Sequence, residues 1–359
     1  MFDASMEASH MSKILKFCAG VLLIGAAPAL AQAPQPRLVV VSADAPFAHV
    51  NSGLSLPAAL LGLPRTRVLE TEAPQLDIAA EYTRADADIL TVYVYRATSG
   101  AVPVWFDRAR WAIETRPVYG TPTIAVPPTP IAPPGRSTAS GLIGSWSLAG
   151  SEYKGTGVAL LPLGDWLVKL RYSSKTRDGT DVAERLRAAV TALAWPTGAP
   201  DAPVAAAIAD CATPLTFKGT AKSAKVDGAS ALLGALMVGV ASEAKDKGDA
   251  PPATWCRDAA RLDTAGVYRA NAADNAYLLA LSDAGRGVWV APSVGALLMG
   301  KGKPNWAVDL ILPGRTINYP PQDRLPAPAR VLELLSGPAI SSATTWGGKS
   351  TITLPSGVR

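Results

Sequence analysis

Residues 166–172 alternate without a break, with Trp166, Val168, Leu170 and Tyr172 on one side and Leu167, Lys169 and Arg171 on the other. A period of two predicts a strand with one buried and one partly polar face. Residues 91–96 alternate in the same way and are rich in β-branched and aromatic side chains, which predicts a second strand. A third, at residues 158–161, joins the first through the turn Leu163-Gly164-Asp165. Leu38-Val39-Val40-Val41 reads as a short buried strand. Elsewhere the period lengthens. Residues 104–113 place Trp105, Ala109 and Ala112 on one helical face, and Val182, Leu186, Val190 and Leu193 recur at helical spacing. Asp181 and Glu184 form an Asp-x-x-Glu capping box that would open the second helix, and Pro196 would close it.

Between these runs lies a proline-rich insert at 117–135, containing Pro117, Pro122, Pro127, Pro128, Pro130, Pro133 and Pro134. Each proline fixes φ and removes a donor, which predicts an extended loop or polyproline II arm instead of regular structure. Residues 197–203 read as a linker. Beyond it, residues 229–241 are apolar and predict a buried helix too short to span a bilayer. Residues 277–281 and 288–290 flank Asp283-Ala284-Gly285-Arg286-Gly287 as a hairpin. Residues 307–312 predict a strand turned by Pro313-Gly314, and residues 329–336 a short helix ended by Gly337. Gly347-Gly348 between two β-prone runs predicts a last hairpin.

The leader changes how the rest is read. Lys13 and Lys16 precede an uncharged run that ends in Ala29-Leu30-Ala31. Basic, then apolar, then small-x-small predicts a secretory signal peptide over 1–31, with translation starting at Met1 or Met11. The run is shorter than the ~20 residues of a spanning helix, so no transmembrane segment is expected once the leader is removed. Cys18 leaves with the leader, and the remaining pair, Cys211 and Cys256, predicts one disulfide in an oxidising compartment. Closing that loop would stabilise the fold by about 4 kcal/mol on the chain-entropy account. Of 359 residues, 48% are hydrophobic and 18% charged, enough for two globular modules. The net charge of +5 is spread along the chain with no basic stripe, which argues against nucleic acid as a partner.

The stretches Leu56-Pro57 with Gly62-Leu63-Pro64-Arg65, the tyrosine-rich strand at 93–96, and Asp165-Trp166-Leu167-Val168-Lys169-Leu170-Arg171 with the helix after it resemble the PsbP-like α/β/α module of exported bacterial proteins of unknown function. The resemblance covers the first module only, and the proline insert departs from it. It implies a fold and carries over no catalytic residue. The expected architecture is α+β, with antiparallel sheets covered by helices in two modules, 37–196 and 204–359, the disulfide lying in the second.

Motifs with chemical promise each meet a plainer reading. Ala343-x4-Gly348-Lys349-Ser350 fits a relaxed phosphate-loop pattern, but the strand-like Thr351-Ile352-Thr353-Leu354 follows where a helix is needed, so no nucleotide is expected. Ser151-x-x-Lys154 has the spacing of penicillin-recognising acyl transferases, yet glycines surround it and the companion motifs are missing. A Ser-His-Asp triad would have to use His49. Asp86 and Asp88 mark a turn more naturally than a metal site. Asp258, Asp263 and Asp274 lack calcium-loop spacing, and neither metal nor cofactor is expected.

Tyr93, Tyr95, Lys169 and Arg171 are the remaining candidates. If their strands are neighbours, their outer faces would form a cationic, aromatic surface for a small ligand or an envelope component. The functional expectation is a periplasmic or secreted protein with a non-catalytic binding or envelope-support role. The alternative is an envelope-directed hydrolase whose site is assembled from residues that sequence does not connect. A cleft holding Ser151, Lys154 and an acid would favour the hydrolase.

Overall fold

The structure is a computed structural model that describes residues 35–84, 87–224, 252–293, 305–347 and 351–354. All of them belong to one compact unit, Ala33–Arg359. The leader, the apolar stretch at 229–241, Asp86 and the Gly348-Lys349-Ser350 string lie outside the described residues.

The chain opens with β1 (Arg37–Val39), a small hairpin of β2 (Phe47–Ala48) and β3 (Ser55–Leu56), and β4 (Ala59–Leu60). The long strands β5 (Leu63–Glu72), β6 (Asp77–Arg84) and β7 (Asp88–Arg96) follow, then α1 (Val102–Thr115). Next come β8 (Thr121–Ile131), β9 (Gly141–Ala149), β10 (Gly155–Leu163), β11 (Trp166–Ser174) and α2 (Gly179–Ala192). The strands pair antiparallel in the order β1-β5-β6-β7-β11-β10-β9-β8, and β4 adds to β5. Thus β7 and β11, distant in sequence, are direct neighbours, with Tyr93 opposite Lys169 and Tyr95 opposite Leu167.

A second sheet runs in chain order through β12 (Ala209–Asp210), β13 (Trp255–Arg257), β14 (Gly266–Ala270), β15 (Tyr277–Ala280), β16 (Gly287–Pro292), β17 (Trp306–Ile311), β18 (Arg315–Gln322), β19 (Ser341–Thr344) and β20 (Ile352–Thr353). All its pairs are antiparallel except β12–β13. α3 (Pro328–Leu335) lies between β18 and β19 in sequence and buries Val331 and Leu334 against one face of this sheet. No described helix is long and apolar enough to cross a membrane.

The expected α+β class is overturned. Strands take up 42% of the described residues and helices 14%, and the helices do not cover the sheets as an α+β fold requires. α1 packs on β8–β10 and α2 on β8–β11. Over the remaining strands of the first sheet, Phe47, Leu54, Leu56 and Leu60 from the segment around β2 to β4 join the core. Sheet, hairpin and turn supply the layers that helices were expected to supply.

The proline insert is the clearest local difference. Residues 121–131 form an eleven-residue strand at the edge of the first sheet, paired to β9 with two register shifts. Proline is tolerated there because an edge strand needs only half of its backbone donors, and bulges absorb the others. The same prolines blunt the edge against pairing with another chain. β1 also differs from expectation. It lies at the opposite edge, with Leu38 60% exposed.

Both amphipathic helices form as their periodicity predicts, and Val182, Leu186, Val190 and Leu193 are buried. The cap of α2 is Asp178, three residues before the expected one. Its carboxylate accepts from the N–H groups of Thr180 and Asp181 at 2.9 and 3.0 Å. Gly179 makes that start sterically feasible. A Cβ there would lie 2.5 Å from Ala125 Cβ and 2.6 Å from the backbone of Trp146 and Ser147. Gly179→Ala should therefore lower the urea midpoint by the equivalent of about 2 kcal/mol through overpacking, twice the effect of Asp178→Ala at about 1 kcal/mol. Equal losses would show that the close approach contributes nothing.

Candidate functional site

The four residues singled out from the alternation do come together. On the face of the first sheet that carries α1, Tyr93 and Tyr95 project from β7 beside Lys169 and Arg171 from β11. The Lys169 ammonium lies 4.5 Å from the centre of the Tyr93 ring and 5.7 Å from that of Tyr95. The arrangement is the predicted cationic, aromatic set, but it is not an open face. Lys169 is only 2% exposed and Tyr95 is fully buried.

What closes it is the β15–β16 turn of the second sheet. Lys169 Nζ donates to the Asp283 backbone carbonyl at 2.9 Å and pairs with Asp283 Oδ2 at 3.0 Å. Arg171 Nη1 stands 3.9 Å from the same oxygen, and Arg171 Nη2 donates to the Tyr119 hydroxyl at 3.2 Å. Two residues further along, Gly285 rests against the Tyr95 ring. Its φ of +77° and a Cβ position 3.1 Å from that ring both favour glycine. Arg286 then reaches back to β6 and pairs with Asp77 Oδ2 at 2.9 Å. The turn Asp283-Ala284-Gly285-Arg286 thus presents one carboxylate to β11 and one guanidinium to β6, across the tyrosine rings of β7 between them.

Burial is the largest single influence on Lys169, Asp283, Asp77, Tyr93 and Tyr95. It pulls the Lys169 ammonium below its ordinary value, against the opposing pull of Asp283. It pushes the Asp283 carboxyl up, but Lys169 and Arg171 outweigh it and hold Asp283 at about 2. Asp77 stays above the ordinary carboxylate value because burial outweighs Arg286. The Tyr93 and Tyr95 phenols are pushed up by burial and by Asp283. The result is a dehydrated ion pair whose ammonium is spent on one residue, not a poised base.

Two further contacts fasten the same pair of sheets. On α1, Asp107 accepts from Arg257 Nη1 and from the Tyr268 hydroxyl, each at 2.8 Å. At the end of β7, Arg96 donates to the carbonyls of Pro313 and Thr345 and stacks 5.0 Å from the Trp346 ring centre. On the face of the second sheet that carries Trp289, Asn318 Nδ2 donates to Asp309 at 2.7 Å, and Ser341 donates to Asn318 at 2.9 Å. Burial raises the Asp309 carboxyl to about 6, with Asn318 pulling the other way.

The other sequence candidates are held in structural roles. His49 is fully buried, and its two ring nitrogens meet the Ser52 hydroxyl and the Gln75 carbonyl, each at 2.7 Å. Burial pulls its pKa down, so the neutral ring is favoured. Ser151 donates to the Val118 carbonyl at 2.7 Å and accepts from the Tyr153 N–H in the turn between β9 and β10. A shallow recess lined by Pro133, Arg136, Trp195 and Pro200 contains neither Ser151 nor Lys154. Asp88 opens β7 and is buried. Among the described residues, no group of three or more His, Cys, Asp or Glu side chains is placed to hold a metal ion.

Sequence reasoning missed Asp283, the partner of Lys169, and the neighbouring pair of Asp77 and Arg286. Asp283 and Arg286 were visible only as polar residues of a hairpin turn. The one available signal was that a buried-strand lysine needs a carboxylate, and nothing local says which. No family model, curated protein or solved structure matches the chain.

Removing one partner of a buried pair leaves an uncompensated charge, so Asp283→Asn should cost about 3 kcal/mol at pH 7, and Lys169→Met with Asp283→Leu should recover most of it. The folded carboxyl lies below its unfolded value of about 3.9. Its stabilisation is therefore complete above about pH 4 and lost as the pH falls towards 2. Denaturant titrations between those limits should show that step in the wild type and not in Asp283→Asn. A single variant as stable as the wild type would refute a stabilising pair.

Proposed function

We propose that this chain is an exported, non-catalytic protein of the periplasm that binds or supports a component of the cell envelope. The observation that carries the reading is the disulfide between Cys211 and Cys256, whose Cα atoms lie 4.9 Å apart across 45 residues of chain. A disulfide that stays formed belongs to an oxidising compartment. It agrees with the leader-like pattern of basic, apolar and small residues in the sequence.

The non-catalytic part rests on how the reactive side chains are used. His49 has both nitrogens engaged, Ser151 is held by its own turn, and Lys169 is sealed under Asp283. A catalytic group must reach substrate, and these three are committed to the fold. Two nine-stranded sheets fastened by buried ion pairs make a stiff scaffold, and stiff scaffolds suit recognition because little order is lost on binding. Envelope material is the class of ligand favoured by the compartment.

Co-sedimentation of the purified, oxidised protein with isolated peptidoglycan sacculi and with anionic outer-membrane vesicles tests the proposal. Retention by one of them, with no soluble fragment released, is the expected result. Release of fragments would make the protein a hydrolase. Retention by neither, together with recovery of the chain from the cytoplasm with both thiols free to alkylate, would remove the proposal.

A further inference from the structure

The two sulfurs of the disulfide stand in different surroundings. Cys256 sits on β13, opposite Arg269 of β14, and Cys211 follows β12. Arg269 is 1% exposed, and two of its guanidinium nitrogens donate on the Cys211 side. Nε donates to Cys211 Sγ at 3.2 Å, and Nη2 donates to the Thr213 carbonyl. Asp258 Oδ2 pairs with the same Nε at 3.3 Å and helps to position the guanidinium. Asp258 is itself held by the N–H groups of Leu215 at 3.0 Å and Ala260 at 2.9 Å. Among the described residues no side chain donates a hydrogen bond to Cys256 Sγ. Both cysteines are half-buried.

We propose that Cys211–Cys256 is a polarised, exchangeable disulfide in which Cys256 is the sulfur attacked and Cys211 the sulfur released, with Arg269 holding it. An incoming thiolate of the glutathione or dithiol class bonds to Cys256 Sγ. The S–S bond breaks, and its electron pair leaves on Cys211 as a thiolate beside the guanidinium N–H. A second thiol of the reductant then attacks the sulfur of the first and displaces Cys256, which leaves as a thiolate and takes up a proton. The reductant ends as a disulfide, and the protein ends as the Cys211 thiolate and the Cys256 thiol, two electrons richer. The direction follows from leaving-group chemistry, because the sulfur whose anion is better stabilised departs faster. The site is also built to close again. Thr213, Leu215 and Asp258 anchor the chain around Cys211 through contacts that do not involve sulfur, so reduction leaves the two cysteines facing each other.

The folded, oxidised protein is incubated with reduced glutathione near about pH 7.5, quenched with acid, and mapped by mass spectrometry for the position of the mixed disulfide. Glutathione should be found on Cys256 in at least roughly tenfold excess over Cys211. Arg269→Gln should bring the two towards parity, and Arg269→Lys, which keeps the charge but loses the planar fork, should fall between. Should Arg269→Gln fail to fold with Asp258 unpaired, the wild-type partition and the lysine variant decide. Equal labelling in the wild type, preference for Cys211, or a Cys256 preference unmoved in a folded Arg269 variant would each overturn the proposal.

Discussion

A single lysine ammonium, taken out of water and given to one carboxylate, sets the geometry of the whole unit. Lys169 lies in the middle of the first sheet between Tyr93 and Leu160, where an apolar side chain would be the ordinary choice. Dehydrating that charge is expensive, and it is tolerated only because Asp283 arrives from the second sheet with both its carboxylate and its backbone carbonyl. A pair of this kind adds little net stability compared with well-packed leucine and methionine. What it adds is direction. Greasy faces of two sheets can slide, whereas an ammonium with one carboxylate in reach cannot, and Arg286 with Asp77 repeats the constraint a few residues on.

The surrounding structure follows from that fixed junction. α1 fills the inner face beside it, with Trp105, Phe106 and Ile113 in the same core as Tyr95, Leu167 and Leu278. The outer face of the first sheet is closed by α2 and the segment around β2 to β4. The far face of the second sheet has its own core under α3 and Leu215. Leu215 is held by the same Asp258 that positions Arg269, so the disulfide arm and this last core share an anchor.

The local signals in the sequence were strong wherever one element decides its own form. The alternation at 166–172, the stripe through Val182 and Leu186, and the hairpin around Gly285 all stand in the structure as β11, α2 and β15–β16. Failures share a cause: each depended on a neighbour that sequence does not name. Prolines 122 to 130 look incompatible with a sheet until one sees that β9 asks for only one side of the strand. The polar face of β11 looks solvated until the second sheet is laid over it. The α+β expectation failed for the same reason, since layers assumed to be helical are made by strands. At the candidate site the cation and the two aromatic rings were legible, and the anion was not, because it lies 114 residues away along the chain.

Native-state hydrogen exchange in increasing urea tests most directly whether Lys169 and Asp283 weld the two sheets into one cooperative body. In the wild type, the slowest amides of β7 and β11 and those of β15 and β16 should exchange through one shared opening with the same free energy and the same urea dependence. In Asp283→Asn the second set should separate and open first. Separate openings in the wild type, or openings still shared in the variant, would contradict the account.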